Sequence, residues 1–333
     1  MSFFKHTLYS IILILGSICI TPANSSPIVI KFSHVVTPDT PKGKGVEYFK
    51  KLVEERTMGN VKVQVYPNSQ LYKDKEELEA LQLGAVEMLA PSLSKFSPMG
   101  FTAFELFDLP YLFSNYNDLH KVTNGKIGQQ LLTSLSTKGI KGLAYWDNGF
   151  KVMSANKSLV ELKDFRGKKM RIQSSRILDA QMRALGVSPQ VIAFSEVYQG
   201  LQTGVVDGTE QTPSQIYTQK FFEVQKFITL TNHGYLGYAV VVNKKFWDGL
   251  TPQIQSVLET AMKESTDYVN KIAEQDNQES LAKIKASGRT QLLTLTSENQ
   301  SSLKVTLTSI YPEQEKRIGK DVIDAVRKEL AIK

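Results

Sequence analysis

Three cations stand near the ends of alternating apolar runs, and their types suit them to an organic anion. Arg171 lies in Lys169-Met170-Arg171-Ile172-Gln173, where Met170 and Ile172 alternate with it. It therefore points to the sheet face opposite its apolar neighbours, or out of the strand end. A guanidinium there offers a carboxylate two parallel charge-assisted hydrogen bonds, which an ammonium does not. Lys42 follows the first alternating run. Asn148 and Lys151 follow Ala144-Tyr145-Trp146, and Ser92 closes the third run. The carboxyl ends of strands are where α/β sheets bind ligands. Each residue also has an ordinary reading. A strand arginine is commonly a solvated face or a structural ion pair, a lysine is commonly surface, and a serine commonly caps a turn. Residue types alone stop at an anion site in an α/β protein.

The motifs of catalysis are not written beside this anion chemistry. The chain has no Gly-x-Ser-x-Gly elbow and no His-Glu-x-x-His. Pro41-Lys42-Gly43-Lys44-Gly45 lacks the Gly-Lys-Ser/Thr ending that places a magnesium ligand. His34, His120 and His233 are far apart and bring no paired carboxylate pattern. Cys19 is the sole cysteine and falls in the N-terminal apolar run. The expectation is a protein that is not an enzyme and holds no metal or cofactor. The formal net charge of +7 is spread among acids, without a basic block or an aromatic-basic repeat. That argues against a nucleic-acid partner and leaves a mild field attractive to an anion.

Positioning such residues falls to a regular succession of elements. Residues 1–25 read as a cleaved secretory signal, with Lys5 ahead of the apolar Leu8–Ile20 and small residues around Ala23. Strands are expected at 28–35, 61–65 and 87–93, alternating with helices that begin at Pro41 and near an Asp74 cap. This β-α-β-α-β order predicts a largely parallel sheet. A strand over 139–146 should end in an Asp147-Asn148-Gly149 turn. A second set follows, with strands at 168–173, 191–194, 227–230 and 238–243, a helix over 175–185, and one capped by Ser195. From Thr251-Pro252 no Gly or Pro recurs until Gly288. A helix that long, about 50 Å at 1.5 Å per residue, should lie across two lobes. Residues 297–330 read as two helices broken at Pro312.

The stretch Ala193-Phe194-Ser195-Glu196-Val197-Tyr198-Gln199-Gly200-Leu201-Gln202-Thr203-Gly204-Val205-Val206-Asp207-Gly208-Thr209-Glu210 resembles the signature of the periplasmic solute-binding proteins of tripartite ATP-independent periplasmic (TRAP) transporters. Phe32-Ser33-His34, Tyr66-Pro67-Asn68-Ser69-Gln70-Leu71, Phe107-Asp108-Leu109-Pro110 and Gln219-Lys220-Phe221 resemble the same family. Asn232-His233-Gly234-Tyr235-Leu236-Gly237-Tyr238 and Asn243–Leu250 look most like its dicarboxylate-binding branch. The resemblance implies a two-lobed periplasmic-binding-protein-like α/β fold, with a ligand cleft between the lobes and a long helix spanning both. The implied layout is residues 26–147 and 237–250 in lobe I, 148–236 in lobe II, 251–287 as the spanning helix, and 288–333 packing mainly on lobe II.

Site roles follow from the same resemblance. Arg171 matches the family's carboxylate-binding arginine and Lys151 a second cation after an Asn-Gly turn. Asn148 matches the turn's Asn, Phe194 the cleft aromatic, Ser92 a first-lobe polar contact, and Lys42 a basic residue of the dicarboxylate branch. His233 and Trp146 fall in cleft-edge motifs. Gln211 stands where the family usually has Asn, one methylene shorter. The implied function is periplasmic capture of a small organic acid, foremost a C4-dicarboxylate, for TRAP membrane subunits. Alternatives are a monocarboxylate, keto acid or sugar acid as ligand, or a sensing subunit that presents its bound state to a receptor.

Overall fold

The computed structural model describes residues 26–332; the secretory signal expected at 1–25 lies outside them. Eleven strands follow in chain order: β1 (Ile28–Ser33), β2 (Val61–Tyr66), β3 (Met88–Leu89), β4 (Ile140–Phe150), β5 (Val152–Ala155), β6 (Lys169–Ile172), β7 (Ser188–Val191), β8 (Gly208–Gln211), β9 (Phe227–Thr229), β10 (Tyr235–Asn243) and β11 (Gln291–Leu293). They form two sheets, β2-β1-β3-β10-β4 and β11-β9-β5-β8-β6-β7. Each sheet carries an apolar cluster on both faces, so each is the centre of one lobe.

Both sheets are mixed rather than largely parallel. β1 pairs in parallel with β2 and β3, but β10 returns antiparallel to β3 and β4. In the second sheet β5 opposes β8 and β9. The antiparallel pairs arise because the chain crosses between lobes along strands. Lys151 alone separates β4 from β5, and the segment 230–234 brings the chain back to β10.

The expected Asp147-Asn148-Gly149 turn is instead part of β4. The register slips there, Gly149 pairing with Leu236 and Asp147 with Gly237, so Asn148 is bulged out. A bulge bends a strand without ending it. Gly149 has φ of 154°, and a Cβ on it would fall 2.5 Å from Asn277 Nδ2 of the long helix.

That helix runs Pro252–Ala286, 35 residues, capped by the Thr251 side chain on Ile254 N. Its buried positions fall on one face: Leu258, Ala261, Met262, Ser265, Val269, Ala273, Asn277, Ser280 and Ile284. Leu258 to Val269 enter the first lobe's core and Ile284 the second's, so the helix braces both. The first helix, Pro41–Arg56, is capped by Thr40 and packs closely on it. A Cβ at Gly45 would meet Val269 at 2.2 Å.

The C-terminal segment divides between the lobes instead of staying mainly on the second. β11 extends the second sheet, and Leu303 and Leu307 of the Ser297–Thr308 helix enter its core. The next two helices, Tyr311–Ile318 and Lys320–Leu330, bury Ile318, Ile323, Val326 and Leu330 in the first lobe. Pro312 starts one of these helices in place of breaking it, since proline is tolerated in the first turn. The second break falls at Gly319.

Candidate functional site

Lys42 sits in the first turn of the Pro41–Arg56 helix, fully enclosed. Its Nζ donates to Ala90 O at 2.9 Å and stands 3.8 Å above the Tyr238 ring. Burial pushes the amine down to about 8, against the pull of Glu77 and Asp74. Ser92 forms an isolated bridge with Tyr238 and donates its hydroxyl to Gln173 Oε1 of the other lobe.

Arg171 faces these residues from β6, while its neighbours Met170 and Ile172 fill the second lobe's core. Alternation along the strand thus has the expected effect. The side chain is 1% exposed. Nε donates to Ile192 O at 3.0 Å, and the guanidinium lies 5.7 Å from the Phe194 ring centre. Nη1 and Nη2 are buried and donate to no protein acceptor among the described residues. Nη2 has one carboxylate near it, Asp74 Oδ2 at 3.9 Å. Gln211, the last residue of β8, is buried with its Oε1 likewise unpartnered.

Lys42, Ser92, Arg171, Phe194 and Gln211 line one narrow pocket between the lobes. The other four sequence candidates stand apart from its wall. Lys151 Nζ lies 2.8 Å from Glu210 Oε2, so its charge is already matched. His233 bridges Glu210 Oε2 at 3.1 Å and Thr231 Oγ1 at 2.8 Å. Asn148 Nδ2 donates to the Tyr238 hydroxyl at 2.6 Å from behind the cavity. Trp146 is not at the cleft edge. It stacks near Phe32, 6.3 Å between ring centres, and donates to Thr266 Oγ1 of the long helix at 2.9 Å. Its place on β4 faces the helix layer, which is why an aromatic of that size is core there.

Several wall residues were not visible as site residues in the sequence. Tyr238 accepts from Asn148 and also from Gln215 Nε2 at 2.7 Å, which leaves its own proton to donate. Asp74, expected as a helix cap, precedes the cap position Glu76 and serves another purpose. It holds Lys95 Nζ at 2.6 Å and accepts from Phe194 N of the opposite lobe at 3.1 Å. Burial alone would raise its carboxyl, but Lys95 and Arg171 outweigh burial and keep it below the usual range. Glu77 and Gln173 are also in the wall, with Val35, Val36 and Leu236 as its apolar part. The cavity therefore carries three cations, Lys42, Lys95 and Arg171, against two acids, Asp74 and Glu77. Such a wall favours a compact anion with acceptors at both ends.

Residues 32–317 match the family model of the bacterial extracellular solute-binding proteins, family 7. The chain is 61% identical over 306 residues to the C4-dicarboxylate-binding periplasmic protein DctP of Rhodobacter capsulatus, covering 92% of each. It is similar to a solved TRAP periplasmic solute binding protein from Sulfurospirillum deleyianum with bound succinate. The identity is 46% and the TM-score 0.88, over 91% of this chain and 99% of that one. Another, from Pseudomonas aeruginosa with bound L-malate, is 43% identical with a TM-score of 0.84, over 86% of this chain and 100% of that one.

Proposed function

The chain belongs to the bacterial extracellular solute-binding proteins of family 7, and from that premise we propose that it captures a C4-dicarboxylate in the periplasm and hands it to TRAP membrane subunits. The observation that carries this reading is the Arg171 fork. Its Nε is fixed, and both buried terminal nitrogens are free of protein acceptors among the described residues. One carboxylate of the ligand takes that fork. The other is balanced by Lys42, with Tyr238 as a neutral donor, while Lys95 is matched to Asp74 at 2.6 Å. Lys151, committed to Glu210, supports the site from behind and does not touch the ligand. The residues around the ligand bind and exclude water; no bond is made or broken. Support for the diacid comes from the 61% identical relative and from the neighbours with bound succinate and L-malate.

Capture requires the lobes to part and shut, because the wall is built from both. Contacts made only when closed are what shift the population to the closed state. Succinate is expected to bind one to one by calorimetry and to reduce the radius of gyration in solution scattering. An unchanged scattering curve at saturating succinate would sink closure as the mechanism. Failure of C4 diacids to bind, with a sugar or keto acid binding tightly, would move the ligand class.

Gln211 tunes the ligand. Its side chain extends one methylene beyond Asn, and its buried Oε1 awaits a donor. Gln211→Asn is expected to change the rank order among succinate, malate and longer diacids, with folding unaffected by circular dichroism. Identical affinities in both proteins would show that Gln211 does not shape the cavity.

A further inference from the structure

An acid in the wall of an anion cavity calls for a physical reason, and Glu77 is the one without a counter-ion. It lies in the first turn of the Glu77–Gln82 helix, 2% exposed, and lines the cavity. Asp74, the other acid, is matched to Lys95 at 2.6 Å and faces Arg171 at 3.9 Å. Glu77 has no ion pair within 4 Å and no side-chain hydrogen bond among the described residues. The charged and titratable groups of the same wall are Lys42 from the first helix, Asp74 from the loop before its own helix, Lys95 from the Leu93–Lys95 turn, Arg171 from β6 and Tyr238 from β10.

Charge counting then decides its state. Three cations and Asp74 leave the wall at two positive charges, which a dicarboxylate dianion cancels. An ionised Glu77 would add one uncompensated negative charge in a closed cavity, and unpaired buried charge is strongly disfavoured. On the reading of the ligand as a dicarboxylate, we propose that Glu77 takes up a proton as the ligand is captured and donates it in a hydrogen bond to a ligand oxygen. Binding is therefore linked to proton uptake, and Glu77 selects ligands that offer an acceptor at its position. Burial already holds the Glu77 carboxyl up at about 7, with Lys42 opposing. A dianion beside it pushes in the same direction as burial.

The test is calorimetric titration with succinate, which is fully ionised above neutrality, in HEPES and in Tris, for the parent and for Glu77→Gln. The difference in heats between buffers reports protons taken up. Glu77 accounts for up to about one proton taken up per succinate by the parent above neutrality, where its free carboxyl is ionised. Proton uptake by Glu77 also makes the parent lose succinate affinity as pH rises from 6.5 to 8.5, up to about tenfold per pH unit. Lys42 loses its own charge in the same window, and more readily once the Glu77 carboxylate that holds its amine up is gone. The proton is therefore assigned by infrared difference spectroscopy of succinate binding: a protonated-carboxyl C=O band gained in the parent and absent from the variant places it on Glu77. No protonated-carboxyl band gained in the parent, or the same band gained in the variant, overturns the role of Glu77 and leaves the dicarboxylate reading standing. Succinate that fails to bind the parent at any pH overturns both.

Discussion

Arg171→Ala is expected to weaken succinate binding by roughly 30- to 4,000-fold, the largest loss of any single site substitution. Removing one partner of a desolvated charge pair costs about 2–5 kcal/mol, and each 1.4 kcal/mol is about tenfold in affinity. Preorganisation is why Arg171 heads the list. Ile192 O holds its Nε and the Phe194 ring lies alongside, so little side-chain freedom is lost when a carboxylate arrives. Arg171→Lys keeps the charge and loses the planar fork, so most of the affinity should go with it. Lys151→Ala should register in stability before affinity, because its partner is Glu210. Calorimetry of the three variants, each shown to be folded by circular dichroism, separates these outcomes. An Arg171→Ala protein within threefold of the parent would return Arg171 to the role of a structural cation held by Asp74.

Much of this arrangement is written locally. Period-two alternation marks β1, β2 and β6, and at β6 it also sends Arg171 away from the core. Thr40-Pro41 and Thr251-Pro252 announce helix starts through side-chain caps, and the unbroken run to Gly288 announces the long helix. The less legible features depend on pairing between distant residues. Asp-Asn-Gly has the same composition in a turn and in a bulge, and only the pairing of β4 with β10 decides between them. Lys151 and Glu210 meet because β5 lies antiparallel to β8, which brings residues about sixty apart into contact. Asp74 reads as a helix cap, and Glu77 and Lys95 carry no local sign of a site until the opposite lobe covers them. Trp146 carries no local sign of which layer it faces.

Glu210→Gln is expected to cost roughly 3–5 kcal/mol of folding stability, the range for breaking a buried ion pair by removing one partner. Glu210 and Lys151 are each 1% exposed, and His233 beside them is fully buried. Removing the carboxylate leaves the lysine ammonium enclosed at a point where no water can replace the lost charge. The position magnifies the effect. Lys151 is the residue between β4 and β5, and His233 lies on the return to β10, so the cluster pins both strand crossings. The pH dependence has a definite sign. Burial would raise the Glu210 carboxyl, but Lys151 and then His233 outweigh it and hold it down at about 2, from an ordinary 4.5. A group with a depressed folded value stabilises fully above 4.5 and loses that contribution as pH falls toward 2. The gap between parent and variant should therefore be widest near neutrality and narrow on acidification. Urea unfolding of both proteins at pH 7, 4 and 3, with the slope unchanged, measures it. A variant within 1 kcal/mol of the parent at pH 7 would mean that the three groups contribute little beyond filling space at the crossing.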